Sequence, residues 1–150
     1  MSDNWIVLIP EDPRFVPDAV KQSRARDRFA ELTLDAYRIE AKVSDKVEFF
    51  DCGSNFEHIL CPACQSEIPV AWWQGRMEED YGDGFKLAEY STPCCRNLCT
   101  LQELIYDWPQ GFGRFALEAM NPNLGKLDER YKDEIEEILG TKLRVIYQHI

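Results

Sequence analysis

Five of the six cysteines fall in two short stretches, "LCPACQSEIPVAWW" from Leu60 and "STPCCRNLC" ending at Cys99. Cys61-Pro62-Ala63-Cys64 has the CxxC spacing at which a tight turn aims two thiolates at one ion while backbone amides face the sulfurs. Tetrahedral zinc then needs two further ligands, and Cys94, Cys95 and Cys99 are the supply. Three pairings are open, Cys94 with Cys95, Cys95 with Cys99, and Cys94 with Cys99. Cys94 and Cys95 are favoured because both sit in the turn after Pro93, whereas Cys99 leads into "LCTLQEL" and reads as a small buried apolar residue. His58 is a substitute ligand on paper, but a lone histidine in a strand-like segment is more often merely hydrogen-bonded. Cys52, in "FFDCGSN", reads as a core or turn thiol. The expected site is therefore Cys61, Cys64, Cys94 and Cys95 around a structural Zn2+, organised as two knuckles on neighbouring hairpin tips, a zinc-ribbon-like element.

The competing chemistry is thiol redox, through Cys61 with Cys64 or the vicinal Cys94 and Cys95. A redox CxxC normally starts a helix, whose dipole lowers the first thiol's pKa. Pro62 suits such a start, but Pro69 would soon interrupt the helix. No other catalytic signature is present: the chain has no GxSxG, Walker A, HExxH or GxGxxG pattern. Gly82, Gly84, Gly111 and Gly113 read as turn glycines, and Glu78, Glu79, Asp80 and Asp83 as a solvated helix end. Trp72, Trp73, Trp108 and Phe112 lie near the cysteines; if exposed they would suit a basic protein partner, with core packing the use expected for at least half.

The elements that must position these residues follow from pattern. "WIVLIP", Trp5 to Pro10, is an apolar run that suits a buried strand. Pro17 and Asp18 are first-turn residues of a helix reaching about Leu32. "AYRIEAKV" and "KVEFFDC" read as two strands joined by a tight turn at Ser44-Asp45. "PVAWWQGRMEED" reads as a helix after Pro69, "FKLAEYST" as a strand, and "TLQELIY" as a helical turn or two with Thr100 and Glu103 at capping-box spacing. "GFGRFALEAM" has period-2 spacing in a composition that would also tolerate a helix. Leu127, Tyr131, Ile135, Ile138 and Leu139 form one helical stripe stopped by Gly140, and "TKLRVIYQHI" alternates as a strand. With the cysteine region treated as an insertion, the fold class is α+β, a ferredoxin-like βαββαβ sandwich. The expected organisation is a single domain, residues 1–150, with residues 52–100 as the inserted zinc-ribbon-like subdomain.

Composition narrows the function. The chain has 150 residues, of which 45% are apolar and 12% aromatic, enough for a packed core without disulfide staples. No run approaches a membrane span, and the start lacks the marks of a signal peptide, so a cytoplasmic protein is expected. The formal charge of -10, from 27 acidic and 17 basic residues, opposes a nucleic-acid backbone and favours a basic protein partner. "KQSRARDR" is the only basic candidate patch, and Asp18, Asp27 and Glu31 dilute it into a solvated helix face.

"WIVLIPEDPRFVP", "FFDCGSNFEHILCPAC", "TPCC", "YDWPQGFGRFALEAMNP" and "LRVIYQHI" together resemble segments of a group of bacterial hypothetical proteins, over most of the chain. In that group the CPxC and PCC elements look like a zinc-ligand pair of pairs, which implies Cys61, Cys64, Cys94 and Cys95 here. The resemblance implies no activity. The reading that results is a non-enzymatic, acidic, protein-binding module with structural zinc, of the immunity type that neutralises a basic toxin domain. A thiol-dependent redox protein or enzyme is the alternative, and a zinc-ribbon nucleic-acid binder a third.

Overall fold

The computed structural model describes residues 2–150. The chain runs β1 (Asn4–Pro10), α1 (Ala19–Leu32), β2 (Arg38–Phe50), β3 (His58–Leu60), α2 (Val70–Asp80), β4 (Tyr81–Gly82) and β5 (Gly84–Phe85). It continues through β6 (Tyr90–Ser91), β7 (Leu98–Cys99), β8 (Ile105–Asp107), β9 (Gly111–Met120), α3 (Glu129–Leu139) and β10 (Leu143–His149). The class is mixed α and β, and the main sheet has the order β10-β1-β9-β2 with every neighbouring pair antiparallel.

Two helices cover one face of this sheet. Ile6, Leu8, Phe115 and Leu117 point into a core completed by Phe29 of α1 and by Ile135 and Leu139 of α3. Asp18 caps α1 by accepting from the Lys21 N–H at 2.9 Å, so it stands just before the first turn. Asp128 caps α3, and Gly140 ends it in the left-handed conformation, φ 75°, that a residue with a Cβ adopts at a cost. Arg28 of α1 bonds both carboxylate oxygens of Glu134 on α3, at 2.7 and 3.1 Å, and Glu31 beside it, so the last cation of the basic segment is paired within the fold.

The other face is also covered. Val7, Ile9, Ala116 and Ile146 pack with Cys52, Phe50 and Phe56. Burial on both faces explains why β1 reads as a continuous apolar run without alternation. Gly111 and Gly113 lie in β9 and are buried, not in turns; a Cβ on Gly111 would sit 2.6 Å from an Arg144 guanidinium nitrogen.

The segment between β2 and β9 builds a second apolar cluster from Ile59, Cys61, Ile68, Leu101, Leu104 and Tyr106. Phe112 of β9 and Phe49 of β2 join that cluster, their rings 5.0 Å apart, and so anchor it to the sheet. Arg144 adds a polar anchor: its guanidinium donates to Gln110 O at 2.8 Å and to Glu11 Oε2 at 2.8 Å.

Three local expectations are corrected. "AYRIEAKV" and "KVEFFDC" are one strand, β2, whose register on β9 shifts between Val43 and Glu48. Five steps along β2 there face only two along β9, Phe115 to Gly113, so Ser44-Asp45 lies in a bulge rather than a hairpin turn. "FKLAEYST" is broken into β5 and β6, because the N–H groups of Leu87 and Ala88 turn to the Asp80 carboxylate instead of a neighbouring strand. "TLQELIY" makes a turn, in which Glu103 Oε1 accepts from the Thr100 N–H at 2.9 Å, and then enters β8. Among the described residues no helix is long and apolar enough to cross a membrane.

Candidate metal centre

The two cysteine loops close in the same way. In the first, the Cys61 N–H donates to Ser66 O and the Gln65 N–H to Cys61 O, both at 2.9 Å. Gln65 turns the chain with φ 62°. In the second, the Thr92 N–H donates to Asn97 O and the Arg96 N–H to Thr92 O, both at 3.0 Å, and Arg96 turns with φ 60°. The loops therefore match in hydrogen-bond pattern residue for residue, CPACQS with TPCCRN. Strand pairing holds each base: Leu60 bridges Glu67, and Ser91 pairs with Leu98.

This equivalence explains the irregular spacing. Cys64 and Cys95 occupy the same loop position, but the position of Cys61 is taken in the second loop by Thr92. The fourth sulfur comes instead from Cys94, two residues later, where the first loop has Ala63. Thr92 Oγ1 lies 3.8 Å from Cys61 Sγ and 3.6 Å from Cys95 Sγ, and it accepts from the Asn97 N–H at 3.1 Å. The sequence reading missed Thr92, although the aligned Pro-x-Cys core of the two loops was visible in the chain.

The sulfur atoms of Cys61, Cys64, Cys94 and Cys95 all lie within 4.8 Å of one another. Cys64 to Cys94 is 3.3 Å, and Cys61 to Cys95 is 3.7 Å. Tetrahedral zinc bound at about 2.3 Å places its sulfurs roughly 3.8 Å apart, so the donor set fits such an ion. Cys61 is buried, while the other three face solvent. Local donors favour thiolate in the first loop: the Cys64 and Ala63 amides and the Thr92 hydroxyl pull Cys61 down to about 6. Ser66, through its hydroxyl and its amide, lowers Cys64. Desolvation first, and then its sulfur neighbours, push Cys94 up to about 11. A cation at the centre would offset that cost, as metal coordination deprotonates a thiol outright.

The remaining candidates stand apart from this group. Cys99 is buried behind the second loop, and burial pushes its thiol up to about 11. Cys52 is buried under the sheet, its S–H donating to Gln110 Oε1 at 3.4 Å, and burial raises it to about 11 as well. His58 faces solvent with Nδ1 2.8 Å from Glu67 Oε1, and that carboxylate raises its pKa. Asp80 is not solvated: it is buried and accepts from Leu87 N–H, Ala88 N–H and the Tyr90 hydroxyl. Of the four aromatics singled out in the sequence, Phe112 is buried, Trp72 and Trp73 pack into the second cluster, and Trp108 is exposed.

Comparison with known proteins finds no matching family model, no matching curated protein and no matching solved structure.

Proposed function

We propose that this chain is a non-enzymatic protein-binding module held in shape by a structural Zn2+ on Cys61, Cys64, Cys94 and Cys95. The observation that carries it is the donor set: four sulfurs from two matched loops, close enough to share one ion. A shell of four thiolates leaves no position for water or substrate, so the ion would supply rigidity and not Lewis-acid chemistry. In this reading residues 52–100 are a zinc-ribbon-like subdomain. The order β10-β1-β9-β2, with α1 and α3 on one face, supports reading the frame as a ferredoxin-like βαββαβ sandwich.

The partner in this proposal is a basic protein. A formal charge of -10 steers a cationic surface toward the chain and speeds capture, the economy on which immunity-type neutralisers of toxin domains depend. Six free cysteines suit a reducing compartment, which supports a cytoplasmic site of action. Native mass spectrometry of the protein isolated gently from its own cells tests this directly. One zinc above the chain mass together with a stoichiometric basic protein is the expected spectrum.

The short Cys64 to Cys94 contact favours a second reading, a dithiol that becomes a disulfide by exchange with a partner disulfide, which takes up the two electrons and two protons as a dithiol. That reading requires a metal-free chain two hydrogens lighter in the same spectrum, and such a result would replace the first.

A further inference from the structure

A cleft of about 910 Å³ opens at one end of the four-stranded sheet, and none of the cysteines lines it. It lies between the start of β1, the end of β10 and the loop that follows β9, with Asn55 and Trp108 reaching in from the segment between β2 and β9. Four aromatic side chains, Trp5, Tyr37, Trp108 and Tyr147, contribute to its walls. Trp108 and Tyr147 stand nearly perpendicular, at 79° with centroids 6.4 Å apart, and make a corner. Tyr37 is 79% exposed and Trp108 39%, so both rings offer open surface to the cleft.

The charged groups of the cleft are two carboxylates, Asp3 and Asp35, and its amides bond them and the backbone. Asn121 Nδ2 donates to Asp3 Oδ1, Asn123 Nδ2 to Asp35 Oδ2 and Asn55 Nδ2 to Tyr147 O. Gln148 Nε2 donates to Asp51. Asn55, Asn121 and Asn123 each spend one of two amide N–H groups in this way and Gln148 spends both on Asp51, while Asn4, whose oxygen meets His149 Nδ1, spends none. Among the described residues, Asp3 and Asp35 each keep one carboxylate oxygen without a protein donor, and Asn55, Asn123 and Gln148 keep their amide oxygens. No lysine, arginine or histidine among the described residues lines the cleft, but the Arg38 guanidinium lies 5.6 Å over the Trp5 ring, which leaves Trp108, Tyr147 and Tyr37 as the free aromatic faces. The loop is also fixed in advance: Asn121, at φ 47°, donates its N–H to Asn4 O at 2.6 Å and accepts from the Asn4 N–H at 2.8 Å.

Two carboxylates with a free oxygen each and an aromatic corner call for a planar cation rich in N–H groups. A guanidinium carries five N–H donors, is always charged and stacks on aromatic faces, whereas an ammonium is a compact point charge. An anion would be repelled. The volume lies within the roughly 300–1,000 Å³ of clefts that hold a whole ligand, so flanking backbone enters with the side chain. We propose that this cleft receives an arginine side chain on an exposed segment of the basic protein partner, an assignment that rests on the protein-binding reading above.

The test is an NMR titration of the zinc-loaded protein with acetyl-Gly-Arg-Gly-amide, read at the indole N–H signals of Trp5 and Trp108. Saturable shifts are expected, with binding at least fivefold weaker for the Lys peptide, for Asp35→Asn and for Trp108→Ala. Tyr37→Ala serves as a second variant, since a side chain so exposed can be removed without disturbing the core, and it should weaken binding likewise. Absence of saturable shifts, equal binding of the Arg and Lys peptides, or spermidine binding as tightly as the Arg peptide would overturn the proposal. The two levels separate cleanly. A basic partner held equally by wild type and Asp35→Asn would overturn the cleft and leave the binding module standing. Arg-peptide binding by a chain that holds no partner in its cells would support the cleft and remove the module.

Discussion

Asp80 is the residue whose role is least like its surroundings, a buried carboxylate in an acidic run that otherwise meets water. Its two oxygens accept two backbone N–H groups and the Tyr90 hydroxyl, at 2.8 to 2.9 Å, and so fold the chain that delivers the second cysteine loop. Asp80→Asn puts an amide where acceptors are needed and should cost about 1–3 kcal/mol in urea unfolding. Glu79→Gln, on the exposed side of the same helix end, should change little. Cys52 gives a pH prediction at the same scale. Its folded pKa, about 11, is above the ordinary thiol value of 9.0, so the neutral form is the one that folding favours. The associated stability is complete below the ordinary value and is lost as pH rises through the folded one. The melting temperature should therefore fall between about pH 9 and about pH 11, and less steeply in Cys52→Ala, as a thermal scan across that range would show.

At the scale of elements, Gly53 is a close contact between the end of β10 and the segment that follows β2. Gly53 has φ 63° and pairs alongside His149 of β10, with the Ser54 N–H donating to His149 O and the His149 N–H to Cys52 O. A Cβ there would collide with the His149 carbonyl oxygen, besides the left-handed strain that any L side chain meets. Gly53→Ala should thus destabilise by about 2 kcal/mol or more, since both left-handed strain and the clash contribute. Gly140→Ala, with the same strain but nothing nearer its Cβ than Lys21 Nζ at 3.7 Å, should cost only about 1 kcal/mol. Equal losses in urea unfolding would show that the close approach at Gly53 does not matter.

The whole molecule has apolar clusters of different dependence. The helix-side core of Ile6, Phe29, Leu117 and Ile135 draws no residue from the cysteine loops, whereas the second cluster includes Cys61 and Cys99 themselves. If an ion closes the four-sulfur site, its binding energy is folding energy for that cluster alone. Chelation, or Cys61→Ser, should then speed hydrogen exchange at the amides of residues 61–68 and 92–99 while those of β1 and β9 stay protected. Unchanged exchange in the loops, with unchanged metal content, would dismiss the proposed site.

Much of this was legible in the chain because its signals are local. Period 3.6 and the stop at Gly140 specify α3, the continuous run at Trp5–Pro10 suits a buried strand, and a Pro-x-Cys turn repeats in both loops. What was not legible depends on partners distant in sequence. Ser44-Asp45 has turn chemistry, yet both flanking segments pair with β9 and the residues between them bulge. Asp80 looks solvated until the chain from Leu87 to Tyr90 folds over it. By contrast, the preference for Cys94 and Cys95 over Cys99 came from their place in the turn, and the fold brings those two sulfurs beside Cys61 and Cys64. Sequence determines the residues that can turn, cap or ligate, because those are properties of a few neighbouring bonds. Only tertiary structure decides which of them meet, because burial and pairing energies arise between segments that the chain itself keeps far apart.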